Sequence, residues 1–152
     1  MKRIFRLSLC ALIGMGLLSS CAKKDNTTSP AATFTSTMSA TFNGTAWTAA
    51  SVTGGASSGT MAITGTNSNS TQILIEMPTT VTAGTYSPDL TGSYHVLYTA
   101  SASDPYYISS GSIVVTSNAN NIIKGTFSGT MTDVMGSSTM TCTNGAFSAK
   151  YQ

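Results

Sequence analysis

Nucleophilic chemistry has one formal foothold in this sequence: Gly55-Ala56-Ser57-Ser58-Gly59 fits the pattern G-x-S-x-G. A nucleophile elbow needs a buried strand before the serine and a helix after it, so that the hydroxyl is held up on a sharp turn. Here the flanks are Gly54 and Thr60-Met61, with no helical pattern, and a serine-rich chain produces such a match by chance. A triad would also need a base, and His95 is the sole histidine. It lies between Tyr94 and Val96 in an alternating run, which reads as a half-exposed strand position. With one histidine and no acidic cluster, a zinc site lacks ligands. Asp89, Asp104 and Asp133 sit in turn-like segments without calcium-loop spacing. Glu76 and Asp104 have nothing around them that marks a hydrolytic carboxylate pair. No catalytic residue, metal or cofactor is expected, and the chain reads as a non-enzyme.

The residue with the clearest chemistry is Cys21. Lys2, Arg3 and Arg6 form a basic start, Leu7 to Leu18 an apolar run, and Ser19 and Ser20 a small-residue approach to the cysteine. The apolar run is only about a dozen residues, whereas a bilayer-spanning helix needs roughly 20, so the segment reads as a secretory signal. A thiolate can accept a diacylglycerol, and the small side chains at Leu18-Ser19-Ser20 let a peptidase reach the backbone. The layout resembles the lipoprotein class of signals, which implies cleavage before Cys21 and lipidation of it. Each buried lipid methylene contributes about 0.8 kcal/mol to membrane binding, and stable anchoring takes more than one chain. The expected organisation is a signal peptide over 1–20, a lipidated cysteine and flexible tether over 21–32, and a β-domain over 33–152. The tether, Ala22 to Ala32, contains Pro30 and has no hydrophobic period.

Loss of Lys2, Arg3 and Arg6 leaves four positive side chains (Lys23, Lys24, Lys124, Lys150) against five negative ones (Asp25, Glu76, Asp89, Asp104, Asp133). No basic patch remains, so nucleic acid is excluded as a partner. Only 8% of the chain is charged, about a third of the usual share. Hydroxyls and amides must carry solubility instead. Of three cysteines, Cys10 leaves with the signal and Cys21 is lipidated. Cys142 stands alone, so no internal disulfide forms, and it reads as a small buried hydrophobe.

From Thr33 onward the period is near two. Phe34, Met38, Ala40 and Phe42 share one parity, and Asn43-Gly44 follows as a hairpin signal, with a bulge as the alternative. Trp47 alternates with Ala49. Gly54 to Gly59 reads as a loop. Met61 with Ile63, then Ile73, Ile75 and Met77, mark strands flanking a turn at Asn67-Ser68-Asn69-Ser70. Tyr94, Val96 and Tyr98 share a face, and Ser101 to Pro105 reads as a loop. Ile113-Val114-Val115, then Ile123, Phe127 and Met131, then Met140, Cys142, Phe147, Ala149 and Tyr151 complete the pattern. Threonine and valine suit pleated surfaces. The predicted fold is all-β, a single antiparallel sandwich or barrel of about eight or nine strands.

Several of these pieces carry a family resemblance: Ala40-Thr41-Phe42-Asn43-Gly44-Thr45-Ala46-Trp47, Ala83-Gly84-Thr85-Tyr86, Gly111-Ser112-Ile113-Val114-Val115-Thr116, Ile123-Lys124-Gly125-Thr126-Phe127-Ser128 and Asn144-Gly145-Ala146-Phe147. Together with the signal, they resemble small lipoproteins of Bacteroidota that carry a β-domain of unknown function. The resemblance implies a fold and an address in the cell envelope, at the outer membrane. It supplies no activity. Which side of the membrane the protein faces is left open, since Lys23-Lys24-Asp25 only partly matches a surface-display pattern.

The expected function is therefore that of a lipid-anchored envelope protein, attached to the membrane through its N-terminal lipid. Its β-domain would bind a glycan, a small ligand or an envelope protein. A structural or assembly role without a ligand is one alternative, and a lipocalin-like binder of an apolar ligand is another. Aromatic faces bind the apolar side of sugars, and Trp47, Tyr86, Tyr94, Tyr98, Tyr106 and Tyr107 are the rings available. Tyr106 and Tyr107, with Tyr98, are the ligand-contact candidates, because adjacent strand residues point to opposite faces and one of the pair must look outward.

Overall fold

The computed structural model describes residues 33–100 and 105–152. The signal, the cleavage residues Leu18, Ser19 and Ser20, the lipidation candidate Cys21 and the tether lie outside the described residues, as does Asp104. The described chain is all-β, as the periodicity predicts. Ten strands run in order: β1 (Thr37–Phe42), β2 (Thr45–Thr48), β3 (Ser51–Ser57), β4 (Thr60–Thr66), β5 (Gln72–Pro78), β6 (Gly84–Tyr86), β7 (His95–Thr99), β8 (Pro105–Ala119), β9 (Ile122–Asp133) and β10 (Thr139–Lys150).

Nine of them form one antiparallel path, β2-β1-β10-β9-β8-β7-β5-β4-β3, with β6 added on β8. The two ends of this path are consecutive in sequence. Only Ala49 and Ala50 separate β2 from β3; Ala49 N donates to Met38 O at 2.9 Å and Ala50 N to Thr66 O at 2.8 Å. One short link thus touches both edges, which requires the sheet to curl until they approach. The curl is a half-barrel, made from one sheet rather than the two of a sandwich. Gly65 permits the approach: a Cβ there would stand 2.8 Å from Met38 Sδ and 3.1 Å from the Trp47 ring.

The turns follow their chemistry. Asn43-Gly44 is a two-residue hairpin loop with φ of 46° and 82°, the left-handed pair that suits the twist of two strands. Ser58-Gly59 (52°, 83°) and Asn120-Asn121 (55°, 59°) do the same for the next two tight hairpins. Asn144 (φ 52°) instead sits at a bulge, where the β9–β10 register shifts between Cys142 and Gly145. The expected loop over Gly54 to Gly59 is corrected: Gly54–Ser57 is strand, paired with Ile63–Thr60, and only Ser58-Gly59 turns. Gly, Ala and Ser carry no alternation there, so an edge strand that buries little left no periodic trace. Pro105, read as loop, begins β8.

The core fills the curl. Met61, Ile63, Ile73, Ile75, Met77, Ile123, Met131 and Cys142 are fully buried, and no described polar or charged residue is. Each large apolar side chain contributes roughly 1.5–3 kcal/mol of burial. The expected strand parities therefore recur as the buried positions. Burial pushes the Cys142 thiol up to about 11, which keeps it protonated and inert at neutral pH.

The half-barrel has two dissimilar ends. Alternating strand direction places the β3–β4 and β8–β9 turns, residues 79–83 and both termini of the domain at one end. Ser36 Oγ accepts from Lys150 N there at 3.2 Å. This end is sealed. Asn118 Nδ2 donates to Thr79 O (3.1 Å) and Val81 O (3.0 Å), while its Oδ1 accepts from the Tyr151 hydroxyl at 2.8 Å. Val81 and Tyr151 are buried beneath. The turns β1–β2, β4–β5 and β9–β10 gather at the other end, together with the end of β7.

Candidate binding site at the open end of the curl

A concavity of about 450 Å³ opens at this second end, within the ~300–1,000 Å³ that small-molecule sites occupy. Three rings line it: Phe42 from β1, Trp47 from β2 and Tyr98 from β7. Tyr98 stacks on Phe42 with centroids 4.1 Å apart and planes 25° from parallel. Trp47 is held by its indole Nε1, which donates to Thr71 Oγ1 at 2.7 Å across the seam of the curl. The bond satisfies a donor that would otherwise cost about 1–3 kcal/mol to bury.

Three carboxamides ring the opening: Asn43 from the β1–β2 turn, and Asn67 and Asn69 from the β4–β5 turn. Each turn uses one oxygen. Asn67 Oδ1 accepts from Asn69 N (2.9 Å) and Thr71 N (3.0 Å), which folds the turn. Asn43 Oδ1 accepts from Thr141 N (2.8 Å) and Thr141 Oγ1 (3.2 Å), which ties the hairpin to β10. Both Nδ2 groups are without a protein partner among the described residues, and so is the Asn69 side chain. Among the described residues no lining side chain carries a charge.

The expected ring platform is distributed differently. Tyr98 and Tyr106 face each other in register across β7 and β8, both on the core side, with the Tyr106 hydroxyl 2.8 Å from Ser138 Oγ. Tyr107 is on the outer face, paired with Leu97. Tyr86 and Tyr94 stack with centroids 4.4 Å apart, away from the concavity. Of the three contact candidates, only Tyr98 lines it. Asn43, Asn67 and Asn69 were legible as turn formers but not as lining. The available signal was that the β1–β2 and β4–β5 connections share one end of an up-and-down order.

The residues weighed for catalysis do not assemble. His95 Nδ1 donates to Glu76 Oε2 at 3.2 Å, and its Nε2 is buried without a partner among the described residues. Ser57 is on β3, three strands from β7, hence about 14 Å away at ~4.8 Å per strand. The acid lies between serine and histidine, so the imidazole cannot reach the hydroxyl. Asp89 and Asp133 serve their own turns. The Thr91 hydroxyl holds the Asp89 carboxyl below its ordinary value, and the Ser137 hydroxyl does the same for Asp133. Among the described residues no three His, Cys, Asp or Glu side chains gather where they could hold a metal ion.

A second concavity, about 440 Å³, lies at the sealed end and is lined by Gly55, Ala56, Ser57, Ala62, Glu76 and Gln152, among others. It holds the G-x-S-x-G serine but no ring and no histidine. No helix among the described residues is long and apolar enough to cross a membrane.

No curated protein and no solved structure matches the sequence. One family model does, over residues 34–149, from three residues before β1 to the next-to-last residue of β10. The chain therefore belongs to the family described as a domain of unknown function, DUF6252.

Proposed function

We propose that the protein is a non-enzymatic lipoprotein of the cell envelope, of the small Bacteroidota type, anchored in the outer membrane through Cys21. In this reading residues 22–32 are a tether and the half-barrel is a binding module for a glycan, a small ligand or an envelope partner. The observation that carries it is the asymmetry of the two ends. The chain enters the domain at Thr33, beside the sealed end, while the ringed concavity opens at the other. The open end, unlike the sealed one, offers rings and amide donors that a ligand can meet.

The same asymmetry favours a binding role over a purely structural one, because the amides at the open end are left with bonding capacity. It also favours a polar ligand over an apolar one. Met61, Ile63, Ile73, Ile75 and Met77 fill the interior, and Met140 is the sole Met or Ile side chain lining either concavity. The separation of Ser57 from His95 supports the non-enzymatic part. Cys21→Ala, expressed in a Gram-negative host, tests the anchor: the wild-type chain should fractionate with membranes and the variant should become soluble. A variant that stays with the membrane fraction defeats the anchoring.

A further inference from the structure

Resting on the binding-module reading, we propose that the open end takes an uncharged saccharide unit, gripped between the Tyr98–Phe42 stack and the carboxamides of Asn43, Asn67 and Asn69. Three observations select this class. Among the described residues the lining has no side chain charged at neutral pH, so a charged ligand would meet no opposite charge there. The rings supply an apolar wall, which a sugar meets with the C–H face of its ring. The Nδ2 groups of Asn43 and Asn67 are donors already aimed, because each Oδ1 is pinned to backbone N–H groups. A hydroxyl both donates and accepts, so a polyhydroxylated ligand can meet these donors in more than one register. A hydrocarbon would leave them all unsatisfied. At about 450 Å³ the site is a concavity for a small ligand, within the volume range of small-molecule sites, rather than a flat protein-docking face.

Trp47 is the sole tryptophan and lines the site, so its emission reports occupancy directly. The test screens the intact chain, in detergent, on an array of neutral and anionic glycans. Hits are then titrated by Trp47 fluorescence in the wild type, Ala46→Phe and Asn69→Asp. Ala46 is an exposed lining residue, so a phenyl ring there blocks the opening without entering the core. Asn69→Asp keeps the shape and the backbone bond to Asn67, but places a charge on the rim. Neutral glycans should bind the wild type, and each variant should weaken them at least tenfold while keeping the wild-type circular dichroism.

A parallel titration uses uncharged nucleosides and N-acetyl amino-acid amides. Binding of these, abolished by Ala46→Phe, with an empty array would overturn the saccharide class and leave a binding role at this end standing. Anionic glycans alone as hits would do the same. Neutral glycans bound equally by wild type and Ala46→Phe would overturn the site. No response from any probe would overturn this proposal and restrict the binding-module reading to an envelope protein.

Discussion

Asn118 and Asn67 are the same side chain put to opposite use at the two ends of one half-barrel. Asn118 spends all of its capacity on the protein: its amide reaches two carbonyls of residues 79–81 and its oxygen takes the Tyr151 hydroxyl. Asn67 spends only its oxygen, on two backbone amides of its own turn. The first pattern closes an end, since the Asn118 carboxamide is fully bonded within the protein. The second shapes an end and leaves donors facing outward. The two concavities repeat the lesson. They differ by only about 10 Å³, yet one is walled by three rings and three asparagines and the other by Gly, Ala, Ser and Thr with Glu76 and Gln152 and no ring. Volume does not distinguish them; the means to hold a ligand does.

The comparison breaks most readily at its glycines. Gly65 backs Trp47, and a Cβ there would press on Met38 Sδ at 2.8 Å and the indole at 3.1 Å. Gly65→Ala should cost about 1–3 kcal/mol, the usual penalty of overpacking. It should also shift the Trp47 emission, because the ring must move toward the opening. Gly55, in the groove at the sealed end, has nothing within 4 Å of an added Cβ. Gly55→Ala should change stability by less than about 0.5 kcal/mol. Urea unfolding of the two variants decides this. Equal midpoints would show that the seam is looser than its contacts imply.

Thr71→Val probes the same wall more gently. It preserves shape and deletes the acceptor of the 2.7 Å bond from Trp47 Nε1. The expected loss is about 1–2 kcal/mol, the cost of leaving a mostly buried donor unpaired. Trp47 emission should shift with little change in circular dichroism. A variant as stable as wild type would mean that water reaches the indole and that the opening is wetter than its lining suggests.

How far the sequence carried these conclusions depended on whether each feature was local. Ile73, Ile75 and Met77 announced a strand by alternation alone, and all three are buried. Asn43-Gly44 announced a hairpin because both residues accept positive φ. Gly54–Ser57 failed because its residues are too small to alternate; its strand character comes from β4, not from itself. The open end failed for a different reason. Phe42, Asn67 and Tyr98 come from β1, the β4–β5 turn and β7, and only closure brings them together. Nothing in the spacing of those residues encodes a shared wall. Of the adjacent pair Tyr106 and Tyr107, Tyr106 is held inward by the same parity as Ile108 and Tyr107 faces out, a choice that a one-residue register decides.

The smallest expected effect lies at the lip of the opening, in the β9–β10 hairpin. Asp133 accepts there from Ser137 N (2.7 Å), Ser137 Oγ (2.6 Å) and Ser138 Oγ (3.0 Å), and Ser138 Oγ in turn meets the Tyr106 hydroxyl. These bonds favour the carboxylate and hold its pKa below 3.8 in the folded state, the Ser137 hydroxyl contributing most. The sign follows: the unfolded chain binds the proton first, so the bonds stabilise the hairpin fully above 3.8 and are lost as pH falls through the lower folded value. At the sealed end Asn118 does the equivalent tying without a carboxyl group. Amide exchange at Ser137 and Gly136 should therefore quicken between pH 4 and 2, after correction for intrinsic rates, while exchange at Asn121 and Tyr151 should not. Asp133→Asn should abolish that acid dependence and leave the sealed end unchanged. Equal acid sensitivity at both ends would mean that the whole half-barrel loosens together, and that the two ends are not independently built.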